Sequence, residues 1–440
     1  MQILTVKDNQ AIKTLECFDN IPNLTSKILD KTLSKLEEEG IFVFPEVLEE
    51  SDDLTKDQMV LQGINNYYLT GNVMGFIGYN DERLNIVSRF GGENDYFFQY
   101  LLERVFAFPN IIDLNTGVNQ EERLFNYLLF LFPYYLKTAM RKGLFKQYVW
   151  HKYNDSNVKG TIDIKRHIKI NTPFVGNISY NQREFSYDNN LTELIRHTIE
   201  FIKRKPYGNR LLIKVKDEVN LIVASTPMYE RFVLSKIIEA NKKNPLRHAF
   251  YREYSVLQRL CLLILQHKKY QVGNGLKEIY GILFDGAWLW EEYINTLIGK
   301  DFYHPMNKSN KGRQYLFNGG NGPIYPDFIG KNTNNRIVAD AKYKPFKNIN
   351  GTNFFQILAY MYRFDAKKGF LLYPEIEDNN TTQLYLNTGT TFENNVYHRE
   401  DIYIIKHGLV IPLETGNYSK FKVDIKSNEE KFVAQIKKSI

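Results

Sequence analysis

The sequence predicts an α/β protein, with a C-terminal mixed sheet flanked by helices, a β-rich N-terminal region and a helical middle. Three observations predict it. From Gly281 onward, stretches of helical and strand periodicity alternate, the order expected of an α/β layer arrangement. Tyr67–Phe90 (YYLTGNVMGFIGYNDERLNIVSRF) alternates apolar and polar residues between Gly71, Gly75, Gly78 and an Asn80-Asp81 turn, the pattern of a small β-domain or barrel. Between these regions lie several helix-like stretches. A length of 440 residues exceeds what one hydrophobic core usually serves, and the pattern divides into 1–115, 116–246 and 247–440.

In chain order, an apolar start (Ile3-Leu4-Thr5-Val6) precedes a helix-like Leu24–Glu39, a strand-like Ile41–Pro45, an acidic loop Glu46–Asp57 and the β-rich stretch. A helix over Asp95–Phe106 and a loop Asn110–Asn119 close the first region. Residues 120–147 read as a long helix kinked at Pro133, because proline removes a backbone donor and clashes with the preceding turn. Strand-like pieces surround Gly160–Asp163 and Gly176–Tyr180. Helical spacing returns through Leu191, Leu194, Ile195, Thr198, Ile199 and Ile202, then over Met228–Asn241 and Phe250–His267. The last region reads as helix Phe284–Ile298, strands Ile324–Ile329 and Arg336–Tyr343 about a turn, helix Thr352–Phe364, and strands at Gly369–Tyr373, Gln383–Leu386 and Ile402–Ile405.

With 43% hydrophobic and 24% charged residues, the chain has ample material for packed cores. Cys17 and Cys261 lie far apart without metal-ligand spacing, which argues against a disulfide framework or zinc site and suits a reducing cytoplasm. The most lipid-like run, Leu124–Leu136, is too short to span a bilayer and carries Pro133. The net charge of +7 is unevenly spread: residues 1–60 hold six Lys and thirteen Asp or Glu, a net of −7, whereas residues 203–247 hold eleven Lys or Arg and four acids, a net of +7. The acidic end suits protein docking and the basic segment a phosphate backbone, although unbalanced solvated faces explain both equally well.

The chemistry gathers in Pro323–Tyr360. In a strand, residues i and i+2 share a face, so Asp340 and Lys342 point one way while Ala339, Ala341 and Tyr343 point to the apolar side. If the loop is Asn332–Asn335, counting back places Asp327 opposite Asp340, with Cβ atoms roughly 4.5–5.5 Å apart. Two carboxylates at that separation repel unless a cation lies between them. Mg²⁺, with hard oxygen ligands and retained waters, is the natural occupant, and the Ala341 carbonyl is a further oxygen donor. Lys342 beside two carboxylates stays protonated and suits charge stabilisation and water positioning. On the preceding helix, Leu283, Ala287, Trp290, Ile294 and Leu297 form an apolar face; Glu291 lies at its margin and Glu292 on the far side. Glu291 therefore reaches the site and Glu292 faces solvent. Gln356 and Tyr360, at i and i+4, approach from the next helix.

These residues resemble the PD-(D/E)xK nuclease superfamily, and specifically the McrC family of endonuclease subunits of McrBC-type modification-dependent restriction systems. The similarity runs the length of the chain. Besides Pro326-Asp327 and Asp340-Ala-Lys342-Tyr-Lys344, it includes Lys159-Gly-Thr-Ile-Asp163-Ile-Lys-Arg166-His167-Ile, Arg183-Glu-Phe-Ser-Tyr187-Asp188-Asn-Asn190 with Arg196-His197, and Trp290-Glu291-Glu-Tyr293. Thr161 stands where many relatives carry an arginine. The resemblance implies that Asp327 and Asp340 bind Mg²⁺, that Lys342 is catalytic, and that methylcytosine-containing double-stranded DNA is cut. It also implies a McrB-like AAA+ GTPase hexamer that reads the DNA, docks the N-terminal region and is stimulated by it, in a complex where nuclease subunits can pair. No GxxxxGK[ST] phosphate loop occurs in the sequence, which assigns the nucleotide-driven motor to another protein.

Two rivals remain: a non-catalytic docking and activating subunit, and a stand-alone repair nuclease. Intact Asp327, Asp340 and Lys342 count against the first, and the acidic N-terminal region against the second. The eight histidines show no ligand spacing, and His151, His167 and His197 read as structural or surface residues.

Overall fold

A computed structural model gives the fold and describes residues 2–45, 57–92, 94–106, 120–271, 279–305, 312–377, 381–389, 396–413 and 416–439, with the side chains of 120–125, 127 and 267–271 left aside. Loop Asn110–Asn119 and all of the acidic loop Glu46–Asp57 except Asp57 lie outside the described residues. The protein is mixed α/β with several sheets. Among the described residues, no helix is long and apolar enough to cross a membrane.

Contacts group the chain into two units, 1–120 with 275–440, and 121–274. Within the first unit, one strand ties the N-terminal region to the last region. The first sheet contains β1 (Gln2–Lys7), β2 (Ile41–Phe44), β3 (Val73–Tyr79), β4 (Glu82–Val87) and β5 (Ile279–Asp285), in the order β1-β4-β3-β5-β2. β5 pairs antiparallel with β3 and parallel with β2, so the last region supplies an interior strand to the N-terminal sheet. Every residue of β5 is buried. A strand buried on both faces has no period-two signature, so the helix expected from Phe284 begins only at Gly286.

Glycines allow the close pairing. Gly75 sits at φ +139°, and a Cβ there would lie 2.1 Å from the Ile282 carbonyl oxygen; one at Gly78 would meet the Tyr280 ring. Both lie inside β3, where absent side chains admit the neighbouring backbone and ring. The Asn80-Asp81 turn forms as expected, joining Tyr79 to Glu82 with Asn80 at φ +54°. Leu24–Glu39 is two short helices, Pro22–Ile28 and Leu33–Glu38, separated around Asp30 at φ +54°. Helix α1 (Tyr96–Phe106) follows the sheet.

The second sheet of this unit contains β6 (Phe302–Tyr303), β7 (Phe328–Gly330), β8 (Ile337–Ala341), β9 (Lys368–Glu375), β10 (Thr382–Gly389) and β11 (Val396–Val410). Its order is β6-β7-β8-β9-β11-β10, with β8, β9 and β11 parallel and the outer pairs antiparallel. Helix α2 (Gly286–Ile298) follows β5 directly, and Asp285, the last residue of that strand, caps it by accepting from Ala287 N–H at 2.9 Å. Helix α3 (Gly351–Arg363) is the crossover between parallel β8 and β9. It packs Ile357, Tyr360 and Met361 with Val338, Leu371 and Tyr373. Helix α4 (Tyr418–Lys437) lies on the opposite face, where Phe432 stacks on His407 at 4.3 Å and Phe370 meets the same imidazole. Helices on both faces explain why β9 is almost wholly buried.

The 121–274 unit is mainly helical and includes a three-stranded antiparallel sheet of Gln147–Asp155, Ile178–Ser186 and Thr161–Ile162. Helix Asn190–Lys203 buries the six apolar or threonine positions read from its spacing, and Asn189 caps it by accepting from Leu191 and Thr192 N–H. Helix Gln120–Met140 continues through Pro133.

Candidate active site

The hairpin of β7 and β8 pairs Phe328 with Ala339 and Ile329 with Val338. One step further along this register places Asp327 opposite Asp340, the same count that a loop at Asn332–Asn335 gives. Asp327 lies just outside β7, because Tyr325-Pro326-Asp327 interrupts what was read as one strand; Pro323–Ile324 pairs instead with Gln314–Tyr315. The Asp327 carboxylate accepts from Ala341 N–H at 2.8 Å, which holds it across the end of β8.

Lys342 N–H donates to the Leu372 carbonyl at 2.8 Å, continuing the β8–β9 ladder one residue beyond β8. Asp340 and Lys342 therefore keep the strand relation and share a face. The Lys342 Nζ lies 2.6 Å from Asp340 Oδ2, and Asp340 is only 1% exposed. From α3, Gln356 Oε1 accepts from Lys342 Nζ at 2.9 Å, and Gln356 Nε2 donates to the Tyr360 hydroxyl at 2.8 Å. The Tyr360 hydroxyl donates to the Tyr325 carbonyl at 3.1 Å, returning the chain of bonds to the segment that carries Asp327. Burial, and then the charges of Asp340 and Asp327, hold the Tyr360 phenol well above its ordinary pKa. It stays protonated and remains a donor. Five of the six expected site residues thus form one connected cluster.

Glu291 comes to the same region through a residue the sequence reading missed. Trp290, fully buried, donates from Nε1 to the Leu372 carbonyl at 3.1 Å and fixes α2 against β9. Glu291, 7% exposed, places Oε1 3.8 Å from His304 Nε2, while Glu292 Oε1 is 3.4 Å from that nitrogen. His304 Nδ1 lies 2.9 Å from the Asp327 carbonyl oxygen, and its ring stacks on Phe328. Burial opposes the imidazolium, but the Glu292 hydrogen bond, the Glu291 charge and the Asp327 carbonyl together raise its pKa above the ordinary value. Glu292 was expected in solvent; His304, carried just beyond β6, covers that side of α2 and leaves Glu292 half-buried. A lone histidine in an unpatterned segment gave no sequence signal.

The donors are oxygens, the chemistry a hard divalent cation selects. Among the described residues, no three His, Cys, Asp or Glu side chains gather closely enough to ligate one metal ion. Asp327 and Asp340 remain as a pair. One or two carboxylates with retained waters suffice for Mg²⁺, so this pair fits the ion, and Glu291, expected as a third ligand, has its carboxylate 3.8 Å from His304.

Residues 69–374, more than half of the chain, match the family model described as McrBC 5-methylcytosine restriction system component. The chain belongs to that family. No curated protein matches it. Among solved structures, it is similar to a chain of the refined half-complex from the tetradecameric assembly of Thermococcus gammatolerans McrB AAA+ hexamers with bound McrC. That match has 15% identity and a TM-score of 0.44, covering 97% of this chain and 99% of that one. It is also similar to a chain of the cryo-EM structure of the Thermococcus gammatolerans McrBC complex, at 15% identity and a TM-score of 0.30, covering 69% of this chain and 90% of that one.

Proposed function

We propose that this chain is the McrC-type endonuclease subunit of a GTP-dependent, modification-dependent restriction complex, and that its PD-(D/E)xK site hydrolyses DNA phosphodiesters with Mg²⁺. The observation that carries this reading is the bonded cluster Asp327, Asp340, Lys342, Gln356 and Tyr360, in a chain of the McrBC component family. Asp327 and Asp340 would hold the ion. When bound, Mg²⁺ polarises the scissile phosphate and lowers the pKa of a coordinated water. Lys342, paired with Asp340 and held by Gln356, presents an ammonium to the charge that develops on the phosphate and orients the attacking water. Tyr360 fixes the far end of Gln356 and so restricts the lysine.

The nucleotide-driven motor in this reading is a McrB-like AAA+ GTPase hexamer, with methylcytosine-containing DNA as substrate. Docking is assigned to the acidic N-terminal region. A second location is favoured by one observation: on the 121–274 unit, Tyr148, Trp150, Ile164, Ile168, Phe174, Val175 and Phe185 are all exposed, and exposed apolar surface of this kind marks interaction sites. Deleting residues 1–110 does not separate docking from cutting, because it removes β1, β2, β3 and β4 from beside β5. A paired test does: Trp150→Ala with Tyr148→Ser on one side, and charge reversal at exposed N-terminal acids on the other, scored by stimulation of the partner GTPase.

The function is tested with the chain, a McrB-type partner, Mg²⁺ and GTP on methylated and unmethylated plasmids. Cleavage confined to the methylated plasmid and dependent on both Mg²⁺ and GTP is expected. Equal cleavage of both plasmids without GTP would favour a stand-alone nuclease.

A further inference from the structure

The residue after the catalytic lysine is gripped from the other sheet of its unit. Arg89, two residues beyond β4, donates from Nη2 to the Tyr343 carbonyl at 2.6 Å across a separation of 254 residues. The same nitrogen donates to Asn72 Oδ1 at 2.8 Å. Its guanidinium lies over the Tyr343 ring at 4.6 Å, and Asp8 Oδ2 is 3.6 Å from Nη2. Asp8 Oδ1 also accepts from Arg89 N–H at 2.6 Å, and Asp8 is fully buried. The Tyr343 hydroxyl is 2.7 Å from Ser88 Oγ, its ring packs edge-on to Phe90, and Gly286 leaves the room this ring occupies. On the other side of Tyr343, Lys344 N–H closes a tight turn on the Lys342 carbonyl at 2.8 Å.

A structural core tyrosine needs the ring contacts, but not a charged, planar donor aimed at its carbonyl. Arg89 fixes the backbone of the Lys342–Lys344 turn at the point where β8 has ended and the ladder holds only Lys342 N–H. The planar guanidinium lies over the Tyr343 ring while its Nη2 reaches the carbonyl, whereas a lysine ammonium supplies charge without that stacking. We propose that Arg89 is a positioning residue for Lys342, with Asp8, Asn72 and Ser88 holding Arg89 and Tyr343 in place, so that the N-terminal sheet sets the attitude of the catalytic lysine. This rests on the assignment of Lys342 to the reaction.

The test uses the full chain with its partner, Mg²⁺ and GTP on methylated plasmid, and hydrogen exchange of residues 337–345. Arg89→Met should lower kcat roughly tenfold or more, since small misplacements of a catalytic group carry large rate costs. KM for DNA and the stimulated GTPase rate should stay within about twofold, and amides of the turn should exchange faster. Arg89→Lys should recover part of kcat. Unchanged kcat in Arg89→Met, or a loss shared by KM and GTPase in step with the melting temperature, overturns the proposal. If Arg89→Met does not fold, Arg89→Lys decides: reduced kcat at an unchanged melting temperature supports the role, and wild-type kcat refutes it. Lys342→Ala separates the two readings. Normal cutting by that variant removes the site assignment itself; a dead Lys342→Ala beside normal Arg89 variants removes only the positioning role.

Discussion

Replacing Gln356 by Ala perturbs the cluster without touching a proposed metal ligand. It deletes the acceptor 2.9 Å from Lys342 Nζ and the donor 2.8 Å from the Tyr360 hydroxyl. The first bond has a charged donor and is worth about 1.5–3 kcal/mol, the second about 1 kcal/mol. Only the first bears on the lysine. If its loss lets the ammonium settle wholly on Asp340, which already lies 2.6 Å away, the barrier rises by about that 1.5–3 kcal/mol, or roughly 13- to 160-fold in rate. Single-turnover cleavage of methylated plasmid under saturating partner and Mg²⁺ measures the step directly. Gln356→Glu keeps an acceptor and should retain the lysine while adding negative charge facing the phosphate, so it should slow cleavage by a different route, with weaker DNA binding. A Gln356→Ala rate within about twofold of wild type would refute the claim that this helix holds the lysine.

Other consequences follow from the sheet and the buried charges. Gly75→Ala places a Cβ 2.1 Å from the Ile282 carbonyl oxygen at φ +139°, and should destabilise the 1–120 with 275–440 unit by about 2–4 kcal/mol, seen as a lower urea midpoint; an unchanged midpoint would contradict the β3–β5 pairing. Burial raises the Asp8 carboxyl from 3.8 to about 6, against the pull of Arg89. The folded chain then holds this proton more tightly than the unfolded chain, so ionising Asp8 costs on the order of 3 kcal/mol as pH rises through roughly 4 to 6. His197, pushed down to about 4 mainly by burial, acts with the opposite sign over a similar window, and Glu193, raised to about 7 mainly by burial, acts with the same sign, so the total stability curve does not isolate Asp8. Comparison with Asp8→Asn isolates it: wild type should lose stability relative to the variant between about pH 4 and 6, and a flat difference would sink the assignment.

How much of this was legible in the sequence depends on how local the cause is. The Asp327–Asp340 register follows from a short loop and a fixed strand period, and Phe328–Ala339 pairing keeps the same count. The Gln356–Tyr360 pair follows from helical geometry and joins as expected. β5 was not legible, because its partners β2 and β3 lie some two hundred residues earlier and a wholly buried strand shows no alternation. The same non-local pairing hid Arg89, whose role exists only once the N-terminal sheet meets Tyr343. His304 escaped for another reason: its partners Glu292 and Asp327 flank it at distances of 12 and 23 residues, which no motif spacing encodes.

On the proposed reading, this chain cuts DNA through Asp340 while its partner supplies the nucleotide-driven step. Asp340→Asn keeps the side-chain shape on β8 but removes the charge that faces Lys342 and the proposed ion. Measured in one reaction with the McrB-type partner, Mg²⁺ and GTP, the variant should show cleavage at background with GTP hydrolysis stimulated as in wild type. Cleavage at the wild-type rate, with stimulation intact, would contradict it.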